Sequence, residues 1–200
     1  MSDPRQGEGR KEALTPEALE TWRRSGLTTT AAQALFQTLA PIPCEDMLGT
    51  WDGYGLPTGH PLDGLLELHG WRGKRFRDLD TADPLLFGRG RDVRAISPAL
   101  LPHALVVRPP AFARTGLARS AVRLVLPLLA TARPAARLRP LVFAGQVSAA
   151  MVYDHLPIID HFRRIEHDRV LGLMDYRDMP APFFFLLSRA TSFADPDLVR

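Results

Sequence analysis

The last third of the chain limits what it can fold into more than any other part. Four strand-like runs, "LVFAGQVSAAMVYD", "PIIDHFRRI", "RVLGLMD" and "PFFFLLSR", are separated only by "HL", "EHD" and "YRDMPA". Connections this short join neighbouring strands antiparallel, because a parallel return needs a crossover of a dozen or more residues. An antiparallel meander is therefore predicted over 138–190. A meander left flat would expose its edges. Curling it into a closed or half-closed barrel removes them.

The rest of the chain adds helices to this sheet. Residues 1–14 are polar and read as a disordered arm. Thr15-Pro16-Glu17 opens a helix, with Thr15 as N-cap, Pro16 in the first turn and Glu17 and Glu20 at its positive end. A second helix carries Ala32, Leu35, Phe36 and Leu39 on one face. "GTWDG" and "WRGKRF" read as strands with a short helix, "HPLDGLLELHG", between them. Short strands are expected near 85–88 and 92–96. Residues 116–133 read as an amphipathic helix kinked at Pro127, capping the barrel with Arg119 and Arg123 in water. A basic amphipathic helix of this kind also suits a membrane or a partner, and an exposed apolar stripe would mark that alternative. The expected fold class is α+β, mainly antiparallel β. Its form is a curled sheet or small lipocalin-like β-barrel with N-terminal helices and a capping helix, one globular domain over 15–200.

Composition excludes more than it assigns. The single Cys44 rules out an internal disulfide framework and a cysteine zinc site. There is no apolar run of membrane-spanning length, and the first residues lack the apolar core of a signal peptide, so a cytoplasmic protein with no integral membrane segment is expected. The net charge is +3, and no basic–aromatic interleaving points to nucleic acid.

"LGTWDGYGLPTGHPLDGLLELHGWRGKRF" resembles the bacterial family named for its GXWXG motif. "VSAAMVYDHLPIIDHFRRIEHDRVLGLMDYRDMPAPFFFLLSR" resembles its usual C-terminal companion, the domain of unknown function DUF4334. The two motifs occur in the expected order and together cover about 30–190. The resemblance implies no particular chemistry. The five-residue GXWXG string is also similar to the first-strand motif of lipocalin, fatty-acid-binding and nitrobindin-like barrels. Nitrobindin-like barrels hold haem through a proximal His, but no histidine here aligns with that ligand. Haem is thus a minor option, and otherwise no cofactor is expected.

Candidate site residues cluster on "YDHLPIIDHF". In "PIIDHFRRI" one face shows Ile158, Asp160, Phe162 and Arg164, and the other Ile159, His161, Arg163 and Ile165. Both mix apolar and ionisable groups, as a polar spot in an apolar lumen would require. Asp160 is either a carboxyl in that lining, fit for acid–base work once burial raises its pKa, or the partner of an arginine on the next strand. Tyr153 shares the face of Phe143, Val147 and Met151. Asp160, Tyr153 and His161 are the catalytic candidates. Trp51, His60, Trp71, Lys74, Arg75, Met151, Asp154, Phe162, Arg163 and Asp175 are the ligand-binding candidates, with Phe184 or Phe185 in the lining. Lys74 and Arg75 lie on opposite faces, so one of them turns inward and suits a carboxylate or phosphate. Asp154 and Asp175 equally suit turn and strand ends. Asp154, His155, Asp160 and His161 have the residue types of a metal triad across a hairpin, but strand neighbours point to opposite faces and no metal site is expected. The leading function is binding of a small hydrophobic or amphipathic ligand in the barrel. The alternatives are cofactor-independent isomerase, cyclase or dehydratase chemistry in the same pocket, and an interaction module.

Overall fold

A computed structural model describes residues 14–90, 92–101 and 103–190. The expected N-terminal arm lies outside them, except Leu14, which is buried against the first helices. Helices α1 (Pro16–Ser25) and α2 (Thr29–Thr38) are both N-capped as their sequences dictate, by Thr15 on the amide of Ala18 and Thr28 on that of Ala31, each at 3.2 Å.

Among the described residues nine strands follow, with a short helix α3 (Leu65–Leu68) between the first two: β1 (Gly49–Leu56), β2 (Trp71–Phe76), β3 (Ala82–Arg89), β4 (Asp92–Ala95), β5 (Ala136–Phe143), β6 (Gln146–Tyr153), β7 (Ile158–Glu166), β8 (Arg169–Tyr176) and β9 (Phe183–Arg189). Their order is β2-β1-β9-β8-β7-β6-β5-β3, and β2 pairs with β3. The sheet therefore closes into an eight-stranded antiparallel barrel, with β4 as an extra strand on β3. The β3–β5 seam is narrow, joined in register only at Ala82 and Ala136.

The run "LVFAGQVSAAMVYD", read as one strand, is a hairpin arm. Ala144 (φ 50°) and Gly145 (φ 77°) form a two-residue turn between β5 and β6. Two successive left-handed residues match the twist of flanking strands, but alanine at the first of them hides the turn in sequence. In consequence Phe143 and Tyr153 do not share a face. Tyr153 and Met151 point into the barrel core, whereas Phe143 lies outside it.

Two apolar cores result. One fills the barrel with Trp51, Trp71, Phe76, Met151, Phe162 and Phe185 among others. The second seats α1 and α2 on the outer faces of β8 and β9, where Phe184 lies 5.8 Å from Trp22 and 6.5 Å from Phe36. Of the two phenylalanines expected in a pocket, Phe185 is thus interior and Phe184 is not.

Trp51 is fully buried. Its indole N–H donates to the carbonyl of Met47 at 2.7 Å, and the Arg189 guanidinium stands 4.3 Å above the ring. A cation on this ring face contributes about 1 kcal/mol. Gly53 leaves room for another indole: a Cβ there would sit 2.6 Å from the six-membered ring of Trp71. The glycine–tryptophan motif therefore packs two indoles and ties the first strand to the last.

Between β4 and β5 the chain makes a long excursion. It contains α4 (His103–Val107), α5 (Gly116–Val125) and a 3₁₀ turn (Leu126–Leu129). The helix predicted over 116–133 stops before Pro127, whose ring cannot continue the hydrogen-bonded ladder. Leu126 and Leu129 pack on the barrel core, and Ile96 bridges Ala130.

Candidate functional site

The barrel core contains a charged cluster. Lys74 Nζ lies 2.8 Å from Asp160 Oδ2, donates to the Pro84 carbonyl at 3.1 Å, and is 3.4 Å from the Tyr153 hydroxyl. That hydroxyl is also 3.4 Å from Asp160 Oδ2. All three side chains are buried. The rings of Phe185, Trp71 and Tyr153 stand 4.9, 5.8 and 5.8 Å from the ammonium.

A local irregularity puts Lys74 there. Strict alternation would place Trp71 and Lys74 on opposite faces of β2. The pairing of β2 with β3 shifts register on both sides of Gly73. Gly73 has φ 145°, and a Cβ on it would fall 1.9 Å from the Trp51 carbonyl oxygen. This bulge turns Trp71, Lys74 and Phe76 all inward. Arg75 points away from the core and, with Arg77, holds the buried carboxylate of Asp83 at 2.8 and 2.9 Å. Asp160 therefore pairs with a lysine from across the barrel and not with a strand-neighbour arginine.

Burial pushes the Asp160 carboxyl above its usual range, while the Lys74 ammonium and the Tyr153 hydroxyl pull it back. Burial and the neighbouring Asp160 charge drive the Tyr153 phenol well above its ordinary value, so it keeps its proton. Asp160 Oδ1 and Trp71 Nε1 are buried without a hydrogen-bond partner among the described residues. Chemically, the cluster offers an ammonium, a phenol and one free carboxylate oxygen in an aromatic shell.

The other sequence candidates are not brought to it. His161 and Arg163 lie on the opposite face of β7 from Asp160. His161 stacks on Phe143 at 3.9 Å, and the Arg163 guanidinium stands 5.0 Å from the Phe36 ring under α2. Burial lowers the His161 pKa to about 4, with Asp175 opposing and Arg163 assisting. Asp154 is tied to Arg137 at 2.8 Å, and Asp175 is exposed. His60 is buried in the β1–β2 connection against Phe183, and its Nδ1 accepts from the Leu62 amide at 3.2 Å. Trp51, Met151 and Phe162 belong to the packed interior. Among the described residues no three His, Cys, Asp or Glu side chains gather as a metal site. No histidine among the described residues lies on the interior face of a strand: His161 points outward, and the other five sit in connections or in α4.

Two of the clefts on the described surface stand out, and Lys74, Asp160 and Tyr153 line neither. The first, of about 480 Å³, lies between α5 with its 3₁₀ turn and the β3–β4 hairpin. Leu68, Phe87, Ile96 and Leu126 give it apolar walls, and Arg94, Arg119 and Arg123 its cations, beside the His69 imidazole whose pKa burial lowers. Asp92 is the one acid present, 3.0 Å from Arg94. The second, of about 610 Å³, runs between residues 41–45 and the β5–β6 hairpin. Sequence reasoning missed the first cleft because its residues come from four separate stretches. The one available signal was Arg119 and Arg123, four apart on one helix face.

A closed eight-stranded barrel with a buried ion pair inside and a basic cleft beside it defines a compact antiparallel barrel protein. Residues 34–91 match the family described as GXWXG protein, and residues 134–189 match DUF4334, a domain of unknown function. The chain belongs to this two-part GXWXG/DUF4334 family. It is similar to a solved structure of a protein from Thermomonospora curvata, at 35% identity and TM-score 0.58, covering 80% of this chain and 86% of that one. The curated proteins contain no match.

Proposed function

We propose that the protein binds a small amphipathic anion in the cleft between α5 and the β3–β4 hairpin. The observation that carries this reading is the cleft's composition: apolar walls from Phe87, Ile96 and Leu126, with Arg94, Arg119 and Arg123 around them and a single acid. An apolar pocket with a few convergent polar groups is the general form of a small-molecule site. Guanidinium groups suit a carboxylate, sulfonate or phosphate through paired N–H donors. This reading puts the ligand beside the barrel core and not within it. The cytoplasm is the proposed compartment.

The test uses anilinonaphthalene sulfonate, a fluorescent amphipathic anion, with dodecanoate as competitor. The expected result is saturable one-to-one binding that dodecanoate displaces. The Arg119→Ala/Arg123→Ala variant should weaken it by tenfold or more, since a hydrogen bond to a charged group contributes about 1.5–3 kcal/mol. Equal binding by that variant would remove the cleft as the site.

A second reading, cofactor-independent acid–base chemistry at Lys74, Asp160 and Tyr153, is favoured by one specific observation, the unpartnered Asp160 Oδ1. A ligand hydroxyl would satisfy that oxygen, while the Tyr153 phenol, held protonated, offers a hydrogen-bond donor beside it. Replacing Asp160 with Asn should abolish turnover of any substrate while leaving anion binding in the cleft intact.

A further inference from the structure

Nine large apolar side chains are exposed among the described residues, and six of them fall within residues 100–128. They form a surface. Leu117, Ala121 and Leu124 share one face of α5 by their spacing of four and three residues, and Leu128 continues it. Leu117, Leu124 and Leu128 are 83%, 79% and 81% exposed, and Phe112 just before the helix is 64% exposed. The helix therefore carries apolar residues on two sides. The side continued by Leu126 and Leu129 packs on the barrel, and the other meets water.

The charge around this surface is of one sign. Between Asp92 and Asp154 the chain has eight arginines and no acidic residue. Arg108, Arg114 and Arg133 are exposed along the excursion, while Arg119 and Arg123 lie on the opposite, cleft-side face of the helix. Nearby acids are already engaged: Asp92 with Arg94, Asp178 with His103 at 2.9 Å, and Asp63, whose carbonyl Arg114 contacts, with the amides of Thr58, Gly59 and His60.

We infer that the exposed face of α5, with Phe112 and Leu128, docks the protein on an anionic lipid surface. An exposed leucine face with the exposed arginines Arg108, Arg114 and Arg133 on the same excursion matches an interfacial amphipathic segment, whose apolar face enters the headgroup boundary while nearby cations meet anionic lipid. A second copy of this chain fits poorly, because face-to-face pairing would oppose arginines with no acid in the segment to meet them. A protein partner fits less well too: interface hot spots favour Trp, Tyr and Arg seated in pockets, and leucine is under-represented among them. Docking this way lays α5 on the surface and does not thread it through, and no described helix is long and apolar enough to cross a membrane.

The experiment is co-sedimentation of the full chain with vesicles of phosphatidylcholine and phosphatidylglycerol, against phosphatidylcholine alone, at low and high salt. The expected result is pelleting with the anionic vesicles only, reduced by salt. The Leu117→Gln/Leu124→Gln/Leu128→Gln variant changes only exposed side chains outside the cleft. It should retain the wild-type melting curve and anilinonaphthalene sulfonate binding, and lose about tenfold in vesicle partitioning per leucine that enters the lipid. A Leu124→Trp variant should show emission quenched by brominated lipid. Wild-type partitioning by the triple variant, no pelleting of the wild type, or a dimer in sedimentation velocity that the triple variant dissolves would each overturn the inference. These outcomes are separate from cleft binding, which the arginine pair tests.

Discussion

Replacing Lys74 with Met leaves the Asp160 carboxylate fully buried without its cation. Only Tyr153, at 3.4 Å, remains as a partner. Breaking a buried pair from one side costs about 3–5 kcal/mol. For a chain of this size each kcal/mol shifts Tm by about 2–4 °C. The expected drop at neutral pH is therefore about 6–20 °C. The pH dependence follows from the carboxyl. Its folded pKa already lies above the unfolded value, so this group favours the native state most at low pH and disfavours it as pH rises through the folded value. Removing Lys74 takes away the largest influence that lowers that pKa. The deficit of Lys74→Met relative to wild type should therefore be largest at neutral pH and shrink as the carboxyl becomes protonated. Thermal unfolding followed by circular dichroism at about pH 7.5 and pH 5 reads both quantities. The Lys74→Met/Asp160→Leu variant should regain most of the loss, because apolar replacement of both partners is often neutral or stabilising. A single variant that melts like wild type, a deficit that grows toward acid, or a double variant no better than the single would each refute the ion-pair account.

Two further predictions concern packing and the outer face of the barrel. His161→Phe keeps the stack on Phe143 and removes a group whose folded pKa is depressed to about 4. Wild type should lose up to about 3 kcal/mol from this residue as pH falls from about 6.5 to 4, and the variant should not; Tm against pH for the two proteins checks it. Gly53→Ala should cost about 1–3 kcal/mol by crowding Trp71. Gly73→Ala should cost more, because its new Cβ meets backbone, the Trp51 carbonyl, at a φ that L-residues avoid; equal melting temperatures for the two variants would contradict that ranking.

The meander, the Thr15 cap of α1 and the barrel class were legible in the sequence because each rests on local rules, whereas the Thr28 cap of α2 was not singled out. Short connections enforce antiparallel pairing, and Thr-x-x-x openings supply caps. Asp160 stood out for the same reason, as an acid between Ile158 and Phe162 on one strand face. Its partner did not, because the β2 bulge at Gly73 defeats the alternation that sequence reading applies. The Ala144–Gly145 turn likewise split one apparent strand into two and parted Tyr153 from Phe143.

By itself, then, the sequence determined most of the helices and strands and the antiparallel run of the last three strands, and it singled out the acid in "YDHLPIIDHF" without fixing its partner. Those properties depend on spacing and on backbone preferences within a few residues. Only the tertiary structure decided that Lys74 faces Asp160 across the barrel, that His161 and Arg163 face away under α2, and that α5 keeps one apolar face in water. Each of these depends on barrel closure, which brings together residues as far apart as 74, 153 and 160 and fixes which face of every strand looks inward.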